Sequence, residues 1–248
     1  MKLLRPIIMI CSLVLTILTG TAAVLGEELP YRIYYAEGES KYYAENETDL
    51  LLTCSDQSIH VRYGSNSSAE KKINAFFEEK QAAGEQECEG LLNEQIGLWE
   101  QQDDAGREWT VPPAYERQTT LFTGRTDDEV ISVKMIDYVY TGGAHGMHVI
   151  TGAAFNARTG ERLTLADLSD DPEAFRNHCI EEIIRQCEGD PDVWEADEET
   201  FRGWIEGIVD RDSWYLNGDE IVFHSMPYEL TPYFRGSLEF KLKIDNEK

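Results

Sequence analysis

Residues 138–168 decide the fold, with the sequence Tyr-Val-Tyr-Thr-Gly-Gly-Ala-His-Gly-Met-His-Val-Ile-Thr-Gly-Ala-Ala-Phe-Asn-Ala-Arg-Thr-Gly-Glu-Arg-Leu-Thr-Leu-Ala-Asp-Leu. From residue 130 to residue 140, β-branched and aromatic residues alternate with polar ones, which predicts a strand. Residues 149–155 form a second apolar run, and residues 157–160 form a tight turn before a short strand. The stretch therefore predicts two neighbouring strands joined by a glycine-rich turn.

The glycine-rich turn consists of Thr141, Gly142, Gly143, Ala144, His145 and Gly146. Glycine permits a positive φ or a close approach of the backbone to another segment. A phosphate loop is excluded because no Lys-Ser or Lys-Thr follows the last glycine, and a dinucleotide fingerprint would need a helix where residues 147–150 continue as a strand. We interpret these residues as a structural turn.

Amphipathic helices and further strands account for the rest of the chain. In order, they are strands at residues 50–53 and 59–63, a helix from a capping box at residues 67–70 to Trp99, a helix capped by Asp171 with Pro172 in its first turn, a helix around residues 201–208, and strands at residues 214–216, 221–224 and 237–244. This order predicts an α+β fold, with a largely antiparallel sheet and helices packed on one face.

Two sequence signatures resemble those of one family. The first combines residues 140–146 with Asn-Ala-Arg-Thr-Gly-Glu at residues 156–161 and Leu-Thr-Leu-Ala-Asp-Leu at residues 163–168. The second is Phe-His-Ser-Met-Pro-Tyr-Glu-Leu-Thr-Pro-Tyr-Phe-Arg-Gly at residues 223–236. Both resemble the DUF3298 family of bacterial extracytoplasmic proteins, and residues 53–125 resemble the DUF4163 region that commonly precedes it.

The resemblance implies a binding role. Similar domains form the outer part of membrane-anchored anti-sigma factors, to which lysozyme recognition is attributed, and others accompany a separate catalytic domain in polysaccharide deacetylases. This chain has no sigma-binding segment ahead of its apolar run and no room for that catalytic domain, so a signalling role is not expected. Capture of a cationic protein or of cell-wall glycan remains as the binding role that the resemblance implies.

The amino terminus predicts export. Lys2 and Arg5 precede an apolar core that ends in small residues, so residues 1–26 are predicted to be a signal peptide. An uncleaved membrane anchor is the alternative, because the uncharged run from residue 6 to residue 26 reaches the length of about 20 residues that spans a bilayer. Residues 27–49 are acidic and rich in tyrosine and form either an arm or a first strand, and residues 50–248 form the domain. A secreted or extracytoplasmic location follows.

Charge restricts the partners. The chain has 248 residues and a net charge of −25. Such a surface repels nucleic acid and anionic lipid and attracts cationic molecules. We therefore expect no nucleic-acid partner, and contact with a membrane only through an uncleaved amino-terminal segment.

Four cysteines follow the amino-terminal segment: Cys54, Cys88, Cys179 and Cys187. In an oxidising compartment they allow three pairings, and their spacing fits no standard zinc site. Cys179 and Cys187 lie eight residues apart on a predicted helix, which separates them by about 12 Å, whereas a disulfide needs Cα atoms within about 7 Å. A disulfide is therefore expected to link Cys54 or the first helix to this later helix.

The candidate site residues are aromatic and imidazole side chains. His145 and His148 are three residues apart and point to opposite faces of a strand, so no metal or cofactor is expected and His145 is predicted to donate to backbone in the turn. The candidate partner-binding residues are Pro227, Tyr228, Glu229, Pro232 and Tyr233. Tyrosine is enriched at binding hot spots, although these residues could also fasten the last loop to the sheet.

These observations favour a non-catalytic extracytoplasmic binding module. The alternative is a cell-wall hydrolase that uses His145 and nearby carboxylates. We rank binding first because no nucleophile elbow is present and the carboxylates are too numerous to single out a catalytic pair.

Overall fold

A mixed, mostly antiparallel sheet forms the centre of the protein. The computed structural model describes residues 9–12, 18–20, 29–102, 113–211 and 213–244. The long strands are β3 Tyr31–Tyr43, β4 Leu50–Tyr63, β5 Tyr115–Thr126, β6 Val130–Tyr140 and β7 Met147–Asn156, and they lie side by side in that order. Two short strands, β1 Met9–Ser12 and β2 Leu18–Gly20, pair with β3.

The amino-terminal predictions are only partly covered by these residues. Most of the predicted signal peptide, residues 1–8, 13–17 and 21–26, lies outside the described residues. For the tyrosine-rich segment the structure shows the strand rather than the arm, because β3 pairs along its whole length with β4. Within the described ranges, no helix is long and apolar enough to span a membrane.

Helix α1, Ser67–Gln101, connects β4 to β5, which run parallel to each other. Its buried residues Ala69, Ile73 and Phe77 pack on one face of the sheet, against Ile131 and Phe155 among others. Parallel neighbours need such a crossover, since a tight hairpin can join only antiparallel strands. The helix begins at Ser67, the residue predicted to cap it, so its observed cap lies one residue earlier.

The cap of α1 is Asn66, whose side chain accepts from the amide of Ala69. The predicted capping box assigned Glu70 to the reciprocal bond, but its carboxylate instead accepts from the amide of Tyr63, 2.8 Å away, at the end of β4. The prediction of a helix start here is correct to one residue, and the partner of Glu70 is the preceding strand.

A disulfide joins Cys54 of β4 to Cys88 of α1. Cys179 and Cys187 are free and buried, and burial raises the pKa of Cys179 to about 12. The expectation that a disulfide would reach the later helix is therefore wrong. Sequence spacing excluded a bond within that helix but could not show that Cys54 faces α1.

The carboxy-terminal part forms a second layer on the opposite face of the large sheet. It contains helices α2 Pro172–Cys187 and α3 Glu198–Asp210 and the antiparallel strands β8 Tyr215–Asn217, β9 Glu220–His224 and β10 Glu239–Lys243. As predicted, Asp171 caps α2 by accepting from the amide of Ala174. Val130 and Ala154 of the large sheet belong to the same apolar core as these elements.

The two layers touch through backbone. A Cβ on Gly152 would lie within 3.0 Å of the carbonyl of Trp214, and one on Gly124 would lie within 3.0 Å of the carbonyl oxygen of Leu216. The amide of Leu216 also donates to the hydroxyl of Ser132 at 2.8 Å. Glycine is required at both positions because the approaching atoms are backbone. The α+β class is confirmed, and the division of the strands into two sheets is an addition to the prediction.

Candidate binding site

The glycine turn and the carboxy-terminal motif meet at one end of the large sheet. The ring of His145 stacks on that of Tyr233, with centroids 3.5 Å apart and planes 14° from parallel. The hydroxyl of Tyr228 lies 3.3 Å from Nε2 of His145. Residues separated by more than 80 positions in the sequence thus form one group of rings.

Hydrogen bonds fix the orientation of His145. The carbonyl oxygen of Gly146 accepts from the hydroxyl of Tyr233 at 2.7 Å and lies 3.1 Å from Nδ1 of His145. Because a carbonyl can only accept, Nδ1 carries a hydrogen and donates to Gly146, so His145 bonds to backbone within the turn. Its Nε2 lies within hydrogen-bonding distance of the Tyr228 hydroxyl.

The glycines of the turn have separate roles. Gly142 and Gly143 have φ of +92° and +89°, which strongly favours glycine. Glycine is needed at position 146 for a different reason, because a Cβ there would lie within 3.0 Å of the ring of Tyr138. Together they place His145 on the surface at the end of the β6–β7 hairpin.

Tyr228 projects outward from a strained backbone. Its φ is +66° and its side chain is 52% exposed. The conformation is held by Glu229, whose amide donates to the carbonyl of Met226 and whose carboxylate accepts from the amide of Met226 at 2.7 Å. Arg211 pairs with the same carboxylate. Glu229 is therefore engaged within the fold, and the loop presents the Tyr228 ring to solvent.

The remaining residues of the motif shape the loop. Pro227 is buried, and Pro232 is half-buried and precedes a short 3-10 helix, Tyr233–Arg235. Two aromatic residues that the sequence did not single out also lie here. Trp194, 40% exposed, donates from Nε1 to the carbonyl oxygen of Tyr228 at 3.4 Å, and Phe234 is 75% exposed.

We call His145, Trp194, Tyr228 and Tyr233 the aromatic cluster. Trp194 could have been noticed from the sequence because it is the one large aromatic residue in the otherwise polar segment 188–200. Partly exposed aromatic rings with polar ends suit recognition of a partner, since they contribute large contact areas at a low entropic cost.

His148 does not join His145. Its Nε2 lies 2.9 Å from the hydroxyl of Ser237, and burial together with the charge of Lys134 lowers its pKa. Among the described residues, no three or more histidines, cysteines, aspartates or glutamates are grouped so that they could hold a metal ion.

A second polar feature lies between α1 and the large sheet. The guanidinium of Arg117, only 4% exposed, bonds to Glu87 at 2.9 Å and to Asp56, and lies 3.7 Å from Asp137. Burial lowers the pKa of Arg117, but these carboxylates outweigh burial and raise it. A Cβ on Gly84 would collide with the guanidinium, so glycine in α1 makes room for it.

We call the space around this residue the Arg117 cleft. Its lining includes Asp56, Phe77, Glu87, Arg117, Asp137 and Val149. Sequence patterns did not predict this cleft, because its lining residues come from β4, α1, β5, β6 and β7 and share no local motif.

Comparison with known families identifies the two parts of the chain. Residues 166–245 match the family described as protein of unknown function (DUF3298), and residues 44–148 match the family described as Deacetylase PdaC. The chain thus carries a DUF3298 region preceded by a PdaC deacetylase-like region. The glycine turn at residues 141–146 falls inside the second match, although its sequence resembles the DUF3298 signature.

A solved structure shares this fold. A DUF3298 family member from Bacteroides fragilis aligns with a TM-score of 0.65 at 14% identity, covering 86% of this chain and 90% of its own. A DUF3298 family protein from Pseudomonas aeruginosa gives a TM-score of 0.49 at 14% identity, covering 88% of this chain and 91% of its own. No curated protein matches the chain.

Proposed function

We propose that this chain is a non-catalytic binding module that works outside the cytoplasmic membrane and captures a cationic, lysozyme-like protein. The observation that carries the proposal is the exposed aromatic cluster, which gathers candidate residues from both sequence motifs at one place. Partner recognition commonly rests on a few such rings.

Charge supports a cationic partner. The net charge is −25, and acidic side chains flank the cluster. Asp190 and Asp192 lie close in sequence to Trp194, and both pair with Arg235. Two carboxylates against one guanidinium leave this group with a net negative charge. Opposite charge steers diffusional encounter, so association should slow as salt rises.

The location rests on two observations. The Cys54–Cys88 disulfide indicates an oxidising compartment, because disulfides are rare in the reducing cytosol. The charged, apolar and small-residue order of residues 1–26 is typical of a signal peptide. We therefore assign the protein to the extracytoplasmic space.

The hydrolase alternative has weaker support. A general base of this kind is usually oriented by a carboxylate. In the part of the chain that the structure describes, the two ring nitrogens of His145 meet the carbonyl of Gly146 and the hydroxyl of Tyr228 instead. Cell-wall glycan as a partner of the same surface is a second outcome that the experiment below distinguishes.

Titration of the mature protein tests the proposal. Lysozyme, an equally basic unrelated protein and insoluble cell-wall glycan are compared at low and physiological salt. We expect Tyr228→Ala to weaken lysozyme binding by roughly 1–3 kcal/mol while the circular dichroism spectrum is unchanged. The matched control is Phe122→Ala on β5, because Phe122 is 50% exposed and lies outside the cluster.

Three results would contradict the proposal. Equal weak binding to both basic proteins would reduce the acidic surface to a solubility device. Binding of the glycan alone would assign the aromatic cluster to a different partner. Equal losses of lysozyme affinity in Tyr228→Ala and Phe122→Ala would show that binding does not depend on the aromatic cluster.

A further inference from the structure

Strands β1 and β2 cover the outer edge of β3, at one side of the large sheet. β1 pairs antiparallel with residues 39–42, and β2 pairs antiparallel with residues 33–35. Both short strands belong to residues 1–26, the predicted signal peptide. A segment that is removed on export, or that is held in a bilayer as an anchor, cannot also pair with β3. In either case the edge of β3 loses the strands that cover it.

The fold does not depend on these two short strands. In the described part of the chain, the three apolar cores contain no residue before Leu29. β3 is held from its other side, because it pairs with β4 along its whole length. Tyr31 of β3 is also buried, and its hydroxyl donates to the carbonyl of Asp127 at 2.7 Å. The mature chain, residues 27–248, therefore keeps β3 in place and exposes its outer edge.

The backbone groups on this edge belong to the odd-numbered residues of β3. The carbonyl of Pro30 accepts from the amide of Gly64 at 3.4 Å, so even-numbered residues bond to β4, because backbone groups alternate between the two sides of a strand. A side chain of α1 bonds to both backbone groups of Val61, the residue opposite Ile33, and these groups are therefore turned away from β3. The residues with outward N–H and C=O groups are Tyr31, Ile33, Tyr35, Glu37, Glu39 and Lys41.

The charge of β3 is balanced, unlike that of the whole chain. Arg32 and Lys41 offset Glu37 and Glu39, and Nζ of Lys41 lies 2.8 Å from the carboxylate of Glu39. The chain as a whole has a net charge of −25. Two copies that meet along β3 therefore meet where their acidic surfaces repel each other least. The strand has no surplus charge with which to select a basic or an acidic partner.

One antiparallel register between two copies of β3 pairs all of the outward groups. Its two-fold axis passes through Ala36, the midpoint of residues 31–41. An outward residue then always lies opposite an outward residue, as hydrogen-bonded pairs require. No two like charges lie directly opposite each other, an arrangement that would be destabilising. The pairs between the two copies are Tyr31 with Lys41, Ile33 with Glu39, and Tyr35 with Glu37.

We propose that, once residues 1–26 are removed, β3 pairs with β3 of a second copy of this chain and joins the two large sheets into one. Both copies contribute the same strand, as a two-fold symmetric dimer requires. Pairing also satisfies backbone groups that an exposed edge leaves open. The dimer requires the export proposed above but not the capture of a cationic protein, and the intact mass of the secreted protein tests export separately.

A cysteine on the two-fold axis tests the register. Ala36→Cys would face its own copy in a non-hydrogen-bonded pair, with Cα atoms about 4.5 Å apart, within the range of about 4.4–6.8 Å that a disulfide needs. The matched control is Gly38→Cys, where an added Cβ meets nothing within 4 Å. Its two copies would lie about 13 Å apart along the strands. Under mild oxidation with glutathione, mature Ala36→Cys should form a covalent dimer on non-reducing gels, and Gly38→Cys should not.

Paired variants at Glu37 separate backbone from side chain. Glu37 is exposed. Glu37→Pro removes its outward N–H at an edge position where proline is tolerated, and Glu37→Ala removes the same carboxylate but keeps the N–H. In sedimentation equilibrium of the mature chain, Glu37→Pro should weaken the dimer at least about tenfold, because the lost hydrogen bond occurs twice in the interface. Glu37→Ala should change dimer affinity less than about threefold. Circular dichroism should be unchanged in both variants.

Salt distinguishes the dimer from the proposed lysozyme complex. The surface outside the paired strands is acidic and includes Glu47 and Asp49 in the β3–β4 turn, so two copies repel each other at longer range. Screening of this repulsion should tighten the dimer as salt rises. Binding of a cationic protein should weaken over the same range of salt.

Several results would overturn the proposal. They are a mature chain that stays monomeric at every concentration, equal cross-linking of the two cysteine variants, equal effects of the two Glu37 variants, or a dimer that salt weakens. Cross-linking of Ala36→Cys only to an added partner protein would assign the edge to that partner. None of these results affects lysozyme binding that depends on Tyr228, because the aromatic cluster lies at the β6–β7 turn and β3 lies at the other side of the sheet.

Discussion

Substitution of Gly152 by alanine should push the two layers of the protein apart and destabilise the fold. Gly152 lies on β7 where the backbone of the second layer crosses it. A Cβ at this position would fall within 3.0 Å of the carbonyl oxygen and carbon of Trp214 and of the amide nitrogen of Tyr215. All three atoms are backbone, so no side-chain rotation relieves the collision. The start of β8 must move away from the sheet.

The cost follows from two contacts. Overpacking of a well-packed contact costs about 1–3 kcal/mol. A shift of β8 also breaks the bond from the amide of Leu216 to the hydroxyl of Ser132, which is buried, and leaving such groups unpaired costs about 1–3 kcal/mol. Together the two costs come to about 4 kcal/mol, which lowers the melting temperature of a chain of this size by about 8–16 °C.

Thermal unfolding measured by circular dichroism provides the assay. The matched control is Gly207→Ala in α3, where an added Cβ meets nothing within 4 Å and helix propensity gains up to about 1 kcal/mol. Lysozyme binding should fall with Gly152→Ala, since His145 lies in the turn between β6 and β7 and Tyr233 lies in the second layer. An unchanged melting temperature in Gly152→Ala would refute the close backbone contact.

Three further predictions concern stability. Gly143→Val should destabilise the domain by about 1–3 kcal/mol, because a β-branched residue is strained at a positive φ, and urea unfolding measures the change. Loss of the Cys54–Cys88 disulfide in the double serine variant should cost about 4 kcal/mol, from the 34-residue separation of the cysteines, and reduced wild-type protein should behave like the variant. Acid should weaken the fold through His224, since burial lowers its pKa to about 4, below the unfolded value of about 6.5. The unfolded chain then binds the proton first, so stability present above pH 6.5 falls by on the order of 3 kcal/mol between about pH 6.5 and pH 4.

Each of these has its own control. Unchanged urea unfolding in Gly143→Val would argue against the turn geometry. Equal stability of the oxidised and reduced protein would show that the disulfide does not stabilise the fold. For acid, His224→Phe keeps a ring against Tyr215, with which His224 stacks, and should flatten the pH dependence over that window. If the stability of His224→Phe fell equally steeply with falling pH, the pH dependence would have to come from carboxylates instead.

Local patterns predicted the elements that depend on local chemistry. The alternation of residues 130–140 gave β6 at its observed bounds, Val130–Tyr140. Asp171 and Pro172 gave the start of α2 because capping and a fixed φ act within one turn. Asn217 and Gly218 form the turn between β8 and β9, where Gly218 has a φ of +61°, and this dipeptide is itself a short-range hairpin signal.

Long-range arrangement was beyond such patterns. Both β4 and β5 have alternating burial, and alternation does not show that they run parallel with α1 crossing between them. The pairing of Cys54 with Cys88 likewise depends on which face of β4 the helix covers. For the site, the motifs supplied His145, Tyr228 and Tyr233, whereas Trp194 and the Arg117 cleft depend on tertiary contacts that no short motif records.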